Sequence, residues 1–497
     1  MNKAEVSESE VRDVPSKNRQ QPGMLRQRLT ELAACERARF HMPGHKGRGT
    51  FEPEISLDFT EVPGSDNLHA PGEIIRDVQD KLAHIYGARS SFMLTGGTTA
   101  GIIAAMMCLC PKGSSLLVPA NAHRSVYAGL AFGGIKPVFY RPLETEGGAV
   151  VTGELAGRLL DEHPEVRGIL VVSPDYSGCL SELEEIARAA HERGRRMITD
   201  EAHGAHLRFA GIPDACACGS DFTVQSTHKT LSALTQSSLM HLADPADQTR
   251  MQKLLAMIES SSPSYLQMMS IEEAADEAVE CGAEVFGNIA DRRAEYAAAQ
   301  TGGEAFYLVD PAERFDSSKW LFRTADGYRD EKILRDRFGI VPEAVYPTEI
   351  LMMTGIRTTA EDLDLLCEAA EYLNEIHAGE KPASGRKERP MPEDRSTGAE
   401  NANQQKHGDE LFELGLDPGE AVRAASEFVP LTGALDRISA GFVIPYPPGI
   451  PVLIPGARIG ADQISAILDR IESGEQPQGI RESSDGPAVE AVAAEQP

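Results

Sequence analysis

The chain has 497 residues, 41% of them hydrophobic and 25% charged, with a net charge of −28. That length exceeds a single domain of roughly 100–200 residues, and no apolar run approaches the ~18 residues a membrane helix requires. The excess of 76 acidic over 48 basic side chains repels phosphate backbones and argues against a nucleic-acid partner; a small cationic substrate suits this field, although such charge also serves solubility alone.

From the N-terminus, residues 1–23 are polar and charged with no apolar stretch, which predicts a flexible tail without a secretory signal and a cytoplasmic protein. The eight cysteines, including the pairs Cys108/Cys110 and Cys216/Cys218, sit among apolar neighbours without zinc or disulfide spacing and read as reduced thiols. Residues 24–300 read as an N-terminal arm and a major domain, and 301–377 as a small α/β domain. The segment 378–407, rich in charge, Pro, Gly, Ser and Gln, is expected to be a flexible linker. A C-terminal domain over 408–474 and a second flexible tail over 475–497 complete the division.

Within the major domain, short apolar runs alternate with segments of helical period. Ser90–Leu94 precedes Thr98–Leu109, Ser115–Ala120 precedes His123–Phe132, and Pro137–Tyr140 precedes Gly153–His163. Gly168–Ser173 then precedes Leu180–Gly194, and the strand-like Arg196–Ala202 and Asp221–Thr227 follow. This βαβα series predicts an α/β fold, a mostly parallel sheet covered by helices. Ligands in such sheets bind at the carboxyl ends of the strands.

Three segments fall at such ends. Thr95-Gly96-Gly97-Thr98-Thr99-Ala100-Gly101 joins a strand to a helix, where backbone amides and threonine hydroxyls can bind phosphate; a simple turn with a helix cap is the alternative. It lacks the Gly-Lys-Ser/Thr ending of a Walker motif. Asp200-Glu201-Ala202-His203-Gly204-Ala205-His206 follows a strand. A carboxylate there can pair with a protonated pyridine nitrogen, and an imidazole can bond a phenolic oxygen. Asp200, His203 and His206 could instead ligate zinc, but the spacing is not that of a zinc helix, and no metal is expected.

The third segment, Gln225-Ser226-Thr227-His228-Lys229-Thr230-Leu231, places a lysine 29 positions past Asp200. An isolated lysine is ordinarily a solvated surface residue. Phosphate turn, aspartate and lysine in that order are what a pyridoxal-phosphate site requires, with Lys229 as the Schiff-base lysine and Ser226 and His228 within reach of the phosphate. His123, in Asn121-Ala122-His123-Arg124-Ser125, follows the strand Leu116–Val118; it is either a ring-stacking imidazole or a capping or core residue.

Together these residues resemble the Orn/Lys/Arg decarboxylase family of fold-type I pyridoxal-phosphate enzymes, in particular its short members. The resemblance runs from about residue 24 to 470. It includes Phe40-His41-Met42-Pro43-Gly44-His45-Lys46-Gly47, Asp58-Phe59-Thr60-Glu61, Ser260-Ser261-Ser262-Pro263-Ser264-Tyr265 and Pro445-Tyr446-Pro447-Pro448-Gly449-Ile450-Pro451. It implies a fold-type I transferase-like architecture with smaller α+β C-terminal domains and pyridoxal 5′-phosphate as cofactor. The implied activity is decarboxylation of a basic amino acid, arginine first, then lysine or ornithine.

Residue by residue, the resemblance implies that Lys229 carries the cofactor, Asp200 pairs with the pyridine nitrogen and His123 stacks on the ring. His203 lies near the phenolic oxygen, and Gly97, Thr98, Thr99, Ser226 and His228 hold the phosphate. A homodimer with the site at its interface is expected, Ser260–Tyr265 and Pro43–Lys46 contributing. Three positions depart from the family pattern: Gly96 stands for Asn, a bulkier aromatic is missing near Ser177, and Gly456-Ala457-Arg458 replaces Gly-Glu. These leave the cofactor chemistry intact and bear on substrate recognition. A different fold-type I activity, such as transamination or carbon–sulfur lysis, or a catalytically silent homologue, is the alternative.

Overall fold

The computed structural model describes residues 34, 36–48, 55–301, 304–311, 314–378, 412–445, 449–472 and 474–494. The tail 1–23, the linker 378–407 beyond its first residue, and Tyr446-Pro447-Pro448 lie outside the described residues. Among these residues the central sheet has seven strands. They are β1 (Ser90–Leu94), β2 (Ser115–Pro119), β3 (Lys136–Tyr140), β4 (Val166–Val172), β5 (Arg196–Asp200), β6 (Phe222–Gln225) and β7 (Ser238–Leu242). Their spatial order is β1-β7-β6-β5-β4-β2-β3. Only β7 runs against its neighbours; the rest are parallel. The α/β expectation is met, because helices cover both faces and leave strands such as β4 buried from Gly168 to Val171, a continuous apolar run after the exposed Arg167.

The helix Gly97–Leu109, directly after β1, is buried on nearly every side. Gly101 lets it approach the sheet: a Cβ there would lie 2.7 Å from both Leu94 and Val224. That close approach brings the N-terminus of the helix down to the strand ends. The 35-residue helix Tyr265–Ala299 then leads to a smaller antiparallel sheet of β8 (Tyr307–Leu308), β9 (Lys319–Arg323), β10 (Ala344–Tyr346) and β11 (Glu349–Met353), in the order β8-β9-β11-β10. The helix Ala360–Ile376 follows, opened by a reciprocal Thr359/Asp362 capping box.

Residues 412–494 fold back on the major part. Phe412, Leu453, Ile454, Ile467 and Val489 share one apolar cluster with Val126, Tyr127 and Leu130 of the helix Arg124–Gly133. Residues 475–494 are not the flexible tail that the composition of 475–497 suggests. Arg481–Ser483 (β13) and Gly486–Val492 (β14) pair with each other, and β14 pairs with Ser426–Pro430 (β12). Ala488, Val489 and Ala491 are buried there. These small side chains make a strand in a stretch whose overall polarity masks the pattern. No helix among the described residues is long and apolar enough to cross a membrane.

Candidate active site

A cavity of about 610 Å³ opens where β1, β2, β3, β4, β5 and β6 end, and it is lined by Gly96, Ala120, Arg141, Pro174, Asp200 and Ser226 from those ends. Every residue expected to hold the cofactor or act in catalysis lines it, namely Gly97, Thr98, Thr99, His123, Asp200, His203, Ser226, His228 and Lys229, whereas Pro43–Lys46 and Ser260–Tyr265 do not. This is the position that the parallel-sheet rule requires.

Lys229 sits on a single helical turn, Thr227–Thr230, immediately after β6. The turn is clamped from two directions. The Gly44 amide donates to the His228 carbonyl at 2.8 Å, and the Ile356 amide donates to the Thr230 carbonyl at 2.9 Å. A Cβ on residue 44 would come within 2.3 Å of the Leu231 carbonyl oxygen, so this crossing demands glycine. The His41–Lys46 segment thus braces the lysine turn from within the same chain, with Lys46 Nζ donating to the carbonyls of His41 and Met353 at 2.7 and 2.8 Å.

Asp200 ends β5, buried, with its Oδ1 accepting from the Ala202 amide at 3.2 Å. Burial raises its pKa, while the Lys229 charge and the Ala202 bond pull the other way. For Lys229 the burial acts in the opposite sense and lowers the pKa, against the attraction of Asp200 and Glu343. His123 is the N-cap of the helix Arg124–Gly133, its Nδ1 accepting from the Ser125 amide at 3.3 Å. It therefore caps the helix and lines the cavity together. Burial lowers it to about 4, helped by Lys229 and Arg124. His228 bonds the Ser237 carbonyl through Nδ1 at 2.9 Å, and burial lowers it to about 4 as well.

Thr98 and Thr99 open the helix whose first amides have no intrahelical partner. Ser226 Oγ lies 3.4 Å from Thr98 Oγ1, and Gly97 adopts φ 74°. Gly96 departs from the expected Asn, and the space beside it is taken by Glu259. That carboxylate accepts from the Gly96 amide at 2.8 Å and would lie 3.2 Å from a Cβ at this position.

His203 is buried between two amines. Its Nε2 is 3.0 Å from Lys229 Nζ and its Nδ1 2.9 Å from Lys319 Nζ. Tyr176 packs edge-on against its ring at 5.1 Å, and the Tyr176 hydroxyl donates to Glu343 at 2.8 Å. Burial, ahead of Lys229 and Lys319, drives the imidazole well below its ordinary pKa. His206 does not join this group. Its Nε2 pairs with Asp316 Oδ1 at 3.0 Å, fully buried.

Sequence reasoning missed Lys319, Tyr176 and Glu343. Tyr176 follows β4 and was within reach of the strand-end rule. Lys319 opens β9 and Glu343 directly precedes β10 of the smaller antiparallel sheet, where no motif marks them. The far wall was also missed: Phe412, Val452, Asp462, Gln463, Ala466 and Arg470 reach the cavity from the C-terminal segment.

The donor set suits pyridoxal phosphate. It offers a desolvated amine, a buried strand-end carboxylate, and hydroxyls around a helix N-terminus. The buried Oδ1 of Asn121, without a partner, also belongs to a cavity-lining residue. A mostly parallel sheet with a lysine after one central strand and an aspartate after its neighbour defines the fold-type I class of pyridoxal-phosphate enzymes. Among solved structures, a Francisella novicida lysine decarboxylase aligns with a TM-score of 0.70 at 18% identity, covering 86% of this chain and 73% of that one. A Bacillus subtilis ureidoglycine-glyoxylate aminotransferase aligns at 0.52 and 13%, covering 63% and 87%.

Within that class, the chain belongs to the Orn/Lys/Arg decarboxylase family. The family's major domain matches residues 24–332 and its C-terminal domain residues 409–477. The chain is similar to the arginine decarboxylase of Bacillus subtilis (strain 168), 31% identical in an alignment of 484 residues that covers 92% of this chain and 95% of that one. It is 23% identical to the constitutive lysine decarboxylase of Escherichia coli (strain K12), across 83% of this chain and 69% of the other.

Proposed function

We propose that this chain is a pyridoxal-phosphate-dependent decarboxylase of a basic amino acid, with arginine the first substrate and lysine and ornithine next, working as a homodimer in the cytoplasm. The observation that carries the reading is the convergence of Lys229, Asp200, His123 and His203 with the Thr98/Thr99 helix end in one cavity, in a member of this family. The similarity to relatives named arginine decarboxylase supports arginine, and the net charge of −28 suits a cationic substrate.

When bound, pyridoxal phosphate supplies an electron sink for the charge left on Cα as the carboxylate departs. The residues of the chain divide the remaining tasks. Lys229 would hold the cofactor through its amine, which desolvation favours in the free form. Asp200 would pair with the protonated ring nitrogen, a cation that favours its ionised carboxylate. His123 would cover the ring and His203 would bond the phenolic oxygen. Gly97, Thr98, Thr99, Ser226 and His228 would bind the phosphate with the helix N-terminus. Lys229 would also be the group to return a proton to the substrate Cα.

The test is carbon dioxide and amine release from L-arginine, L-lysine and L-ornithine, beside Lys229→Ala. Release of agmatine, cadaverine or putrescine that falls at least about a thousandfold in the variant is the expected result. A bound yellow cofactor with no release from any of the three replaces this reading with a transaminase or lyase activity.

A further inference from the structure

The geometry points to Lys319 as a positioning residue: we propose that it fixes the tautomer of His203 and thereby holds Lys229 as the free amine that captures the cofactor. The inference rests on the proposed role of Lys229 and extends it to a residue outside the cavity lining.

The argument starts from hydrogen-bond complementarity. His203 meets an amine at each ring nitrogen, at 3.0 and 2.9 Å. An imidazolium would donate at both ends and find an acceptor only if both lysines were neutral. A neutral ring carries one N–H, so one nitrogen donates and the other accepts. Two arrangements remain, differing in which lysine is the ammonium.

The surroundings of Lys319 choose between them. It opens β9 fully buried, and its Nζ also contacts Met353 Sδ at 2.8 Å, an atom with no proton to give. Its Nζ lies 5.8 Å from the centre of the Tyr176 ring, whose face attracts a cation. Asp316, Glu343 and Asp175 are the carboxylates that act on it, with Lys229 opposing; Asp316 is held in place by His206 and Ser318. Lys319 is lowered by burial only to about 8, which leaves it mostly charged at neutral pH.

As an ammonium, Lys319 donates to Nδ1. The ring proton is then on Nε2, and it points at the lone pair of Lys229 Nζ. The groups facing His203 are Lys229, Lys319, His123, His228 and the Tyr176 ring, none of them a carboxylate that would favour an imidazolium. Asp200 and Glu343 alone favour a charged Lys229, and the Nε2–H opposes them directly. In capture, the Nζ lone pair forms the bond to the aldehyde carbon, and the aldehyde oxygen leaves as water with the two amine protons.

The experiment follows cofactor uptake by the cofactor-free protein as a function of pH, from the growth of visible absorbance, with folding checked by circular dichroism. Lys319→Met removes the donor and frees Nε2 to accept from a Lys229 ammonium. The pH of half-maximal uptake rate rises by about one unit, so uptake near neutral pH slows about tenfold. Lys319→Gln removes the charge but keeps an N–H donor, and its profile stays within about twofold of the parent. An unchanged profile in Lys319→Met, or equal shifts in both variants, overturns the proposal, because equal shifts mean that charge alone acts.

A second measurement needs neither a variant nor the cofactor. In ¹⁵N spectra of the cofactor-free parent protein, His203 is expected to show a protonated Nε2 and an unprotonated Nδ1. The opposite assignment overturns the proposal even if the protein captures pyridoxal phosphate. The expected assignment in a protein that captures none leaves the tautomer inference standing while the cofactor reading fails.

Discussion

The wall of the cavity that carries Asp200, His203 and Lys229 is made from strand ends of the central sheet, and both Asp200 and His203 are buried. The facing wall comes from the C-terminal segment, where Phe412, Pro445 and Pro451 are buried but Asp462 at the start of the helix Ala461–Glu472 is exposed. The first wall is dry and shifts the pKa of its ionisable groups by desolvation. The second keeps at least one carboxylate in contact with water. A site divided in this way would separate bond chemistry, which benefits from low dielectric, from contact with a distal charge, which must exchange hydration for contact.

Substitutions on the two walls sharpen that contrast. Asp200→Ala, on the dry wall, is expected to lower kcat by about a hundredfold or more while much of the cofactor is still retained at Lys229. Equal loss of bound cofactor and turnover, measured by absorbance and amine release, would blur the separation, and full activity would remove Asp200 from the chemistry. On the wet wall, Asp462→Asn is expected to raise KM for arginine by about three- to tenfold with kcat within about twofold. A fall in kcat with constant KM would place Asp462 in the chemistry instead.

The smallest effect concerns stability. His123 and His228 fall from an unfolded value of 6.5 to about 4 in the folded chain. Their folded pKa values are depressed, so the unfolded state binds the extra protons. The stability they contribute is fully present above pH 6.5 and is lost as pH falls toward 4. Asp200, raised in the fold, acts in the reverse direction. Denaturant titration of the cofactor-free protein is expected to show stability falling as pH drops through that window. Flat stability there would mean that these imidazoles take up protons without unfolding.

The same division marks what was legible in the sequence. Asp200 and Lys229 could be read because adjacent parallel strands end in register, so a residue after each run of apolar side chains arrives at one place. Thr98 and Thr99 followed from a strand-to-helix turn. Lys319 could not be read: in Lys319-Trp320-Leu321-Phe322 it looks like the polar start of an ordinary strand, and only the packing of the small sheet against His203 reveals that it is buried. The far wall escaped for a related reason. Nothing in the order of the chain says that Asp462 or Arg470 folds back over strands that end hundreds of residues earlier. In β14, alanines and valines provide too little hydrophobicity to announce the core that they cover.

The apolar cluster shared by Tyr127, Leu130, Phe412, Leu453, Ile467 and Val489 has a consequence for how the two walls are joined. Their adhesion is a packing interface between residues up to 378 and residues from 412 onward, and none of the contacts described passes through the peptide bonds between. In that sense the C-terminal part is a docked cassette. Two polypeptides divided inside that interval would each carry their described share of that cluster, Tyr127 and Leu130 on one and Phe412, Leu453, Ile467 and Val489 on the other.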